Sequence, residues 1–211
     1  MIQSSALIVI DMQRDFLNVG GYAATAGLDV SALRKPIPFI ADLLKVARSR
    51  ELLVVHTREG HRPDLSDCSP NKLARSRNAG AEIGNTGPLG KLLIRGEYGH
   101  DIVDELKPVF GEPVIDKPGY GAFHQTDLAQ ILDSRDIKRL YICGVTTEVC
   151  VHSTLREAID RGYDCVLVAD ACGSANAGLH DAAMKMVAVE GGIFGRVCDT
   201  KTVIAEMKER A

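Results

Sequence analysis

The sequence contains no tryptophan, and aromatic residues make up only 5% of its 211 residues. It also lacks a long apolar run: the first one, Ala6 to Ile10, is interrupted at once by Asp11. No basic segment precedes this run, so the N-terminal region has the features of neither a signal peptide nor a membrane-spanning helix. We therefore expect a cytoplasmic protein that does not use a membrane as its partner.

The sequence has no strong excess of charge of either sign. Its 25 Lys and Arg residues stand against 28 Asp and Glu residues, which gives a formal net charge of −3. This balance offers no electrostatic reason to expect nucleic acid as a partner. A small neutral or polar ligand fits better, and with 45% hydrophobic residues the chain can bury one sizeable core. We expect a single domain.

Cysteine pairs of the CxxC type are also absent. The six cysteines are scattered through apolar segments of a chain that is too long to need a disulfide scaffold. Most are therefore expected to be buried, reduced thiols. Cys150 is a candidate exception, because the stretch GVTTEVCVHST places it where an apolar run gives way to a helical pattern.

Short apolar runs rich in Val, Ile and Leu alternate with segments of helical spacing. The runs predict buried strands at Ala6–Ile10, Leu52–Thr57, Pro113–Asp116, Arg139–Cys143, Cys165–Ala169 and Gly192–Val197. The helical segments are Ile37–Arg48, Thr126–Leu132, Glu148–Asp160, Asp181–Val189 and Thr200–Arg210. This alternation predicts an α/β fold of three layers, α/β/α and Rossmann-like, with a mostly parallel six-stranded sheet in one domain over residues 1–211.

Residues 58–100 do not alternate in this way. The stretch is dense in Gly, Pro, Asn and Arg and far exceeds the usual connection of ~4–6 residues. Its scattered Leu and Ile favour order. We therefore expect an ordered loop that lies over an active site or at a subunit interface.

Three reactive side chains follow predicted strands, namely Asp11, Lys117 and Cys150. The carboxyl ends of parallel strands form the ligand crevice, so these side chains should meet there. A neighbouring ammonium and a helix N-terminus would both favour the thiolate of Cys150. Asp11 could take the thiol proton and later give it to a leaving amine, with backbone N–H groups of Thr146, Thr147 or Cys150 binding the oxyanion. The expected chemistry is acyl transfer to Cys150, then hydrolysis.

A different base is also conceivable. His124 and His152 lie close to these residues in the sequence, and either could form a Cys–His pair with Cys150. No Asn or Asp that would orient the imidazole is evident beside them. We expect both histidines to serve at a helix cap or an interface instead.

The segments IVIDMQRDFL, VIDKPGYGAF and ICGVTTEVCV, in this order, resemble the isochorismatase-like cysteine hydrolases, and the resemblance covers essentially the whole chain. It implies that Asp11, Lys117 and Cys150 form the Asp–Lys–Cys triad of that family. It also implies a cis peptide at Val145–Thr146, which turns the N–H groups of Thr146 and Cys150 toward the oxyanion. Members of the family usually assemble, so a homodimer or homotetramer is expected.

The family resemblance also bears on the bond that is cleaved. Isochorismatases proper, which hydrolyse a vinyl ether, commonly lack the nucleophilic cysteine, whereas the amidases of the family keep it. The presence of Cys150 therefore implies an amide substrate.

Nicotinamidases of this family add a metal site just after the second strand. Two histidines and two carboxylates stand there in this sequence: His56, Glu59, His61 and Asp64. Arg58 and Arg62 lie among them, and no further histidine follows until His100. We therefore predict no metal and no other cofactor, with a metal-dependent nicotinamidase-like amidase as one alternative.

The segments HTREGHRPDL, GPLGKLLIRGEYGHDIVDEL and MVAVEGGIFG resemble the biuret hydrolase branch, whose members release ammonia from a carbamoyl-urea. The resemblance implies a small ureido substrate. Phe16 and Phe123 could sandwich its planar group, with core packing as the other role for each. Tyr120 stands where that branch has a second Lys, and Glu190 where it has Gln. Both are expected to contact the substrate.

These two departures leave the substrate open among biuret, triuret, a ureidoacrylate-type acid and an N-carbamoyl amino acid. A substrate with a carboxylate would need a cation, which Arg75, Arg77 or Arg95 of the long loop could supply. For at least two of the three we expect a solvated surface position or a salt bridge instead. A non-catalytic member that binds a small metabolite is the remaining alternative.

Overall fold

A six-stranded parallel sheet forms the centre of the computed structural model, which describes residues 4–209. The strands are β1 Ser5–Ile10, β2 Leu53–Glu59, β5 Val114–Lys117, β6 Arg139–Val145, β7 Asp164–Gly173 and β8 Arg196–Cys198, and a small hairpin contains β3 Thr86–Gly87 and β4 Gly90–Lys91. The sheet order is β5-β2-β1-β6-β7-β8, and every neighbouring pair is parallel. The predicted α/β fold is therefore confirmed, and each predicted strand overlaps one of the six, the last only at residues 196–197.

Helices cover both faces of this sheet. They are α1 Arg14–Leu17, α2 Tyr22–Thr25, α3 Val30–Arg34, α4 Ile37–Ser49, α5 Pro70–Asn78, α6 Leu128–Asp133, α7 His152–Asp160, α8 Ala177–Val187 and α9 Thr200–Glu209. Shorter turns occur at Asp104–Leu106, which is 3₁₀, and at Thr147–Val151, which is π-helical. All five predicted helices are present, although Arg210, the predicted end of the last one, lies outside the described residues.

The two cores follow from the alternation of side chains along the strands. On β1, Leu7 and Val9 face the core formed with α1, α3, α4 and α9, whereas Ala6, Ile8 and Ile10 face the core formed with α6, α7 and α8. All six residues of β1 are buried, as expected for the central strand of a parallel sheet with both faces covered.

The long loop 58–100 contains a helix that the sequence pattern did not predict. Helix α5 begins at Ser69, whose hydroxyl accepts a hydrogen bond from the Lys72 N–H at 3.2 Å, and Pro70 occupies its first turn. Its buried residues are Lys72 and Ser76 rather than apolar ones. Without an apolar stripe there was no helical periodicity to detect.

The strand order reverses between β1 and β6: the chain builds outward from β1 to β2 and β5, then returns to β6 and builds outward on the other side. In open parallel sheets the ligand crevice lies at the carboxyl ends of the strands at such a switch point. At this end Gly144 pairs with Ile10. The two strands therefore end side by side above the crevice.

Every helix within residues 4–209 is too short or too polar to span a lipid bilayer.

Gly144 sets how closely β6 can approach β1. Its φ is +119°, and a Cβ atom at this position would lie 2.1 Å from the carbonyl oxygen of Ile10. We expect Gly144→Ala to lower the free energy of unfolding by about 2–4 kcal/mol, from overpacking and unfavourable φ together. Urea denaturation measures this loss.

Gly27→Ala is the matched control. Gly27 also has a positive φ, +75°, but a Cβ there meets nothing within 4 Å. The control should lose only about 1 kcal/mol, the cost of the backbone conformation. Equal losses in the two variants would contradict a steric role for Gly144.

Candidate active site

The structure brings Asp11, Lys117 and Cys150 together at the carboxyl edge of the sheet. Asp11 directly follows β1, Lys117 is the last residue of β5, and Cys150 lies in the π-helical turn after β6. Strand β2 separates β1 from β5, so the long side chain of Lys117 has to span the end of β2. Its Nζ reaches Asp11 Oδ2 at 2.8 Å, and both residues are fully buried.

Asp11 is held in place by its backbone and by a hydroxyl group. Its φ of 52° turns the chain sharply out of β1, and its N–H donates to the carbonyl oxygen of Thr57 at 3.1 Å. The Thr57 hydroxyl donates to Asp11 Oδ1 at 2.6 Å. One carboxylate oxygen therefore accepts from Thr57, while the other is paired with Lys117.

Glu59 is a fourth member of this cluster. It ends β2, pairs in register with Lys117, and places Oε2 3.6 Å from Lys117 Nζ. The Cys150 thiol donates to the same oxygen at 3.3 Å. Lys72, from α5, lies 2.7 Å from Oε1. Sequence reasoning considered Glu59 only as a metal ligand, although its position at a strand end carries the same signal as those of Asp11 and Lys117.

Burial and ion pairing act in opposite directions on the pKa of Lys117 and on the pKa of Asp11. For Lys117, burial acts to lower the pKa, but Asp11, Cys150 and Glu59 outweigh it and raise the pKa above its ordinary value. For Asp11, burial raises the pKa, and Lys117 opposes this only in part. Lys117 therefore stays protonated, whereas Asp11 has a carboxyl group with increased proton affinity.

The pKa values of Glu59 and Cys150 are shifted in opposite directions. Burial acts to raise the pKa of Glu59, but Lys117 and Lys72 outweigh it and lower the pKa. Burial raises the pKa of the Cys150 thiol well above its ordinary value, and Lys117 does not compensate because Asp11 and Glu59 are both near. These directions favour a neutral Cys150 thiol that donates to an ionised Glu59 and gives up its proton only during the reaction.

The peptide between Val145 and Thr146 is cis, as the family resemblance implies. The Thr146 carbonyl then accepts hydrogen bonds from the N–H groups of Val149, at 3.1 Å, and Val151, at 3.2 Å. These bonds begin the π-helical turn that carries Cys150, a conformation frequent at functional sites. The role of the Thr146 and Cys150 N–H groups toward an oxyanion stays a prediction.

A cavity of about 450 Å³ opens onto the thiol, within the size range of small-molecule sites. Its lining comprises Phe16, Tyr22, Ala26, Leu28, Glu59, Arg75, Ser76, Ala79, Leu93, Tyr120, Thr146, Val149 and Cys150. The rings of Phe16 and Tyr22 pack edge to face, with centroids 5.9 Å apart. Glu59 is the carboxylate among the lining residues, and an Asp11 oxygen lies within 4.8 Å of the Cys150 sulfur.

Two of the four expected substrate contacts, Phe16 and Tyr120, line this cavity. Phe123 does not: it is buried in the core, where its ring stacks on Tyr163 with centroids 5.8 Å apart. Glu190 does not line it either, because it lies exposed in the turn after α8. Of the two roles considered for Phe123, its surroundings match core packing, and Glu190 lies outside the lining of the cavity.

The candidate metal ligands after the second strand do not converge. His56 pairs with Glu112 at 3.0 Å, His61 pairs with Asp67 at 3.2 Å, and Asp64 is exposed. Within residues 4–209, the group of donors close enough to share an ion is instead Asp11, Glu59 and Cys150, whose donor atoms lie within 4.8 Å of one another.

That group does not fit a metal ion, because the Lys117 ammonium already lies 2.8 Å from Asp11 and 3.6 Å from Glu59. The Lys117 ammonium thus supplies the positive charge that a metal ion would otherwise bring to these carboxylates. Within the described chain neither His124 nor His152 hydrogen-bonds to Cys150, whose side-chain partners are Glu59 and Asp11.

Comparison with protein families gives a match over residues 5–202 to the model described as the Isochorismatase domain. Among curated proteins, the ureidoacrylate amidohydrolase RutB of Klebsiella pneumoniae subsp. pneumoniae is 38% identical over 174 residues. The alignment covers 80% of this chain and 73% of that protein.

Two solved structures share the fold over nearly their whole length. A cysteine hydrolase from Pseudomonas syringae pv. phaseolicola superposes with a TM-score of 0.85 at 25% identity, covering 100% of this chain and 95% of that chain. An isochorismatase family protein from Desulfovibrio vulgaris subsp. vulgaris has a TM-score of 0.80 at 27% identity, covering 97% of this chain and 98% of that chain.

The protonation state of Cys150 is testable by alkylation. Because the pKa of the thiol is raised, its thiolate fraction should grow about tenfold per pH unit between pH 7 and 9, and the rate of modification by iodoacetamide should grow with it. Peptide mass spectrometry follows Cys150 separately from the other cysteines, with Cys150→Ser as the blank. A fast rate that is independent of pH below 7 would show a resting thiolate instead.

Proposed function

Because this chain belongs to the isochorismatase family, we propose that it is a metal-independent cysteine amidohydrolase that cleaves a C–N bond of a small ureido compound and releases ammonia. One observation carries the proposal. A buried thiol lies at the wall of a small cavity, with Glu59 at 3.3 Å and the Asp11–Lys117 ion pair behind it. A binding module has no need of such a set.

The first half-reaction forms a bond to sulfur. An Asp11 carboxylate oxygen lies within 4.8 Å of Cys150 Sγ and takes the thiol proton as the sulfur attacks the carbonyl carbon. The C–S bond forms and the carbonyl π electrons move to the oxygen, which the N–H groups of Thr146 and Cys150 stabilise. The tetrahedral adduct then collapses: the C–N bond breaks, and the nitrogen leaves as ammonia with the proton from Asp11.

The second half-reaction restores the thiol. A water molecule gives a proton to Asp11 and attacks the acyl carbon, the C–S bond breaks, and the sulfur recovers its proton from Asp11. The raised pKa of Asp11 suits a carboxylate that must accept a proton twice per turnover. Lys117 stays charged throughout and limits the build-up of negative charge, since its own pKa is raised.

Glu59 supports the proposal that the substrate contains a ureido group. Lys72 and Lys117 keep its carboxylate ionised, so it can only accept hydrogen bonds. A ureido group presents N–H donors directly beside the carbonyl that Cys150 attacks. Glu59 would therefore bind those donors and hold the carbonyl carbon near the thiol.

Biuret, the substrate implied by the resemblance of the long loop, and ureido acids, named in the relative from Klebsiella, both contain this group. Biuret is uncharged, whereas a ureido acid carries a negatively charged carboxylate.

Ammonia release by protein pretreated with a chelator tests the proposal. The panel contains biuret, triuret, 3-ureidoacrylate, 3-ureidopropionate and nicotinamide. We expect release from at least one ureido compound and a loss of roughly 10³-fold or more in Cys150→Ser, which keeps the fold but lacks the nucleophile.

Cys198→Ser is the matched control, because Cys198 lies on the edge strand β8, away from the cavity. It should retain full activity. Undiminished activity in Cys150→Ser would overturn the proposal. Loss on chelation with recovery on adding zinc would favour the metal-dependent alternative, and thermal stabilisation by a panel compound without product would favour a binding role.

A further inference from the structure

We propose that Arg75 binds a substrate carboxylate, so that the compound hydrolysed at this site is a linear ureido acid. This inference rests on the function proposed above. It assigns the second recognition point of the same cavity, away from the thiol.

The three candidate arginines of the long loop, Arg75, Arg77 and Arg95, differ in their partners. Arg77 pairs with Glu82 on the surface at 2.8 Å, and Arg95 pairs with Asp67 at 3.1 Å. Among residues 4–209 no carboxylate forms an ion pair with Arg75, which is exposed and lines the cavity that contains Cys150. Of these three candidates, Arg75 is therefore the one whose charge is available to a ligand in the cavity.

Helix α5 explains how Arg75 reaches the cavity. Residues three apart lie on one face of a helix, and Lys72, one turn earlier, pairs with Glu59 inside the site. The same face therefore supplies Lys72 to the catalytic cluster and Arg75 to the cavity wall. The unpredicted helix in the long loop thus has a polar inner face because that face serves the site.

Tyr120 lies beside the Arg75 guanidinium. Burial and Glu59 raise the pKa of Tyr120, while Arg75 acts in the opposite direction and hydrogen-bonds to its side chain. Both residues line the cavity. A carboxylate at Arg75 would therefore meet a guanidinium and a neutral phenol, both of which can donate hydrogen bonds.

The charges of the cavity wall match a ureido acid at both ends. Among the lining residues the charged ones are Glu59, beside the thiol, and Arg75. A ureido acid gives its N–H groups to Glu59 and its carboxylate to Arg75. Biuret is uncharged, so it would use only the first of these contacts and leave the cation without a partner.

Arg75 borders more than one cavity. Arg75 and Tyr120 also line a second, polar cavity of about 670 Å³. The two cavities therefore share these two side chains.

The test compares Arg75→Gln with wild type on two acids, 3-ureidoacrylate and 3-ureidopropionate, and on two uncharged compounds, biuret and propylurea. Loss of one charge-assisted contact should raise KM for the acids roughly 10- to 100-fold, with kcat changed far less. For the uncharged compounds kcat/KM should stay within about threefold. Arg75→Lys, which keeps the charge but not the planar fork, should fall between.

Arg77→Gln is the matched control. Arg77 lies two positions further along the same helix, and its guanidinium forms a salt bridge on the surface. This variant should change neither acid nor neutral substrate. An equal effect of Arg75→Gln on both classes, or no effect on either, would overturn the assignment of Arg75. So would cleavage of the uncharged compounds alone by wild type, which would leave the proposed function standing. Ammonia from none of the four compounds, nor from the rest of the panel, would overturn both.

Discussion

The ion pair between Asp11 and Lys117 is the constraint on which the site depends. The two charged groups are 2.8 Å apart and fully buried. Removing Lys117 would leave the buried carboxylate of Asp11 without its cation, at a cost of about 3–5 kcal/mol. The surrounding groups satisfy the pair: Thr57 donates to the free oxygen of Asp11, and Glu59 offers Lys117 a second carboxylate. The site is therefore a closed network of alternating charge, and the neutral thiol of Cys150 completes it.

The parallel sheet makes this network possible. Its order places β1 at the centre, with β6 on one side and β2, then β5, on the other. Consecutive strand ends thus supply Lys117, Glu59, Asp11 and the turn that carries Cys150. Because Lys117 starts two strands from Asp11, only a long side chain can close the pair. The long loop then adds α5, which contributes Lys72 to the network and Arg75 to the cavity, so the loop belongs to the site.

Much of this was predictable because it follows from periodicity and topology. The apolar runs predicted all six strands, and the rule that ligands bind at strand ends predicted that Asp11, Lys117 and Cys150 converge. Helix α5 was missed because its inner face is polar. The roles of Glu59 and Phe123 depend on which way their side chains point, and sequence proximity to the triad does not reveal this. The charge state of Cys150 depends on how many buried carboxylates surround it, which is a property of the assembled site alone.

The central claim is that Cys150 forms the covalent bond to substrate. Rapid acid quenching during turnover of a cleaved ureido compound, followed by peptide mass spectrometry, tests this most directly. The account predicts a peptide containing Cys150 whose mass is increased by that of the substrate less ammonia, and which disappears once the substrate is consumed. A bound acyl group on any other residue, or product formed at the wild-type rate by a protein in which Cys150 is replaced by alanine, would contradict it.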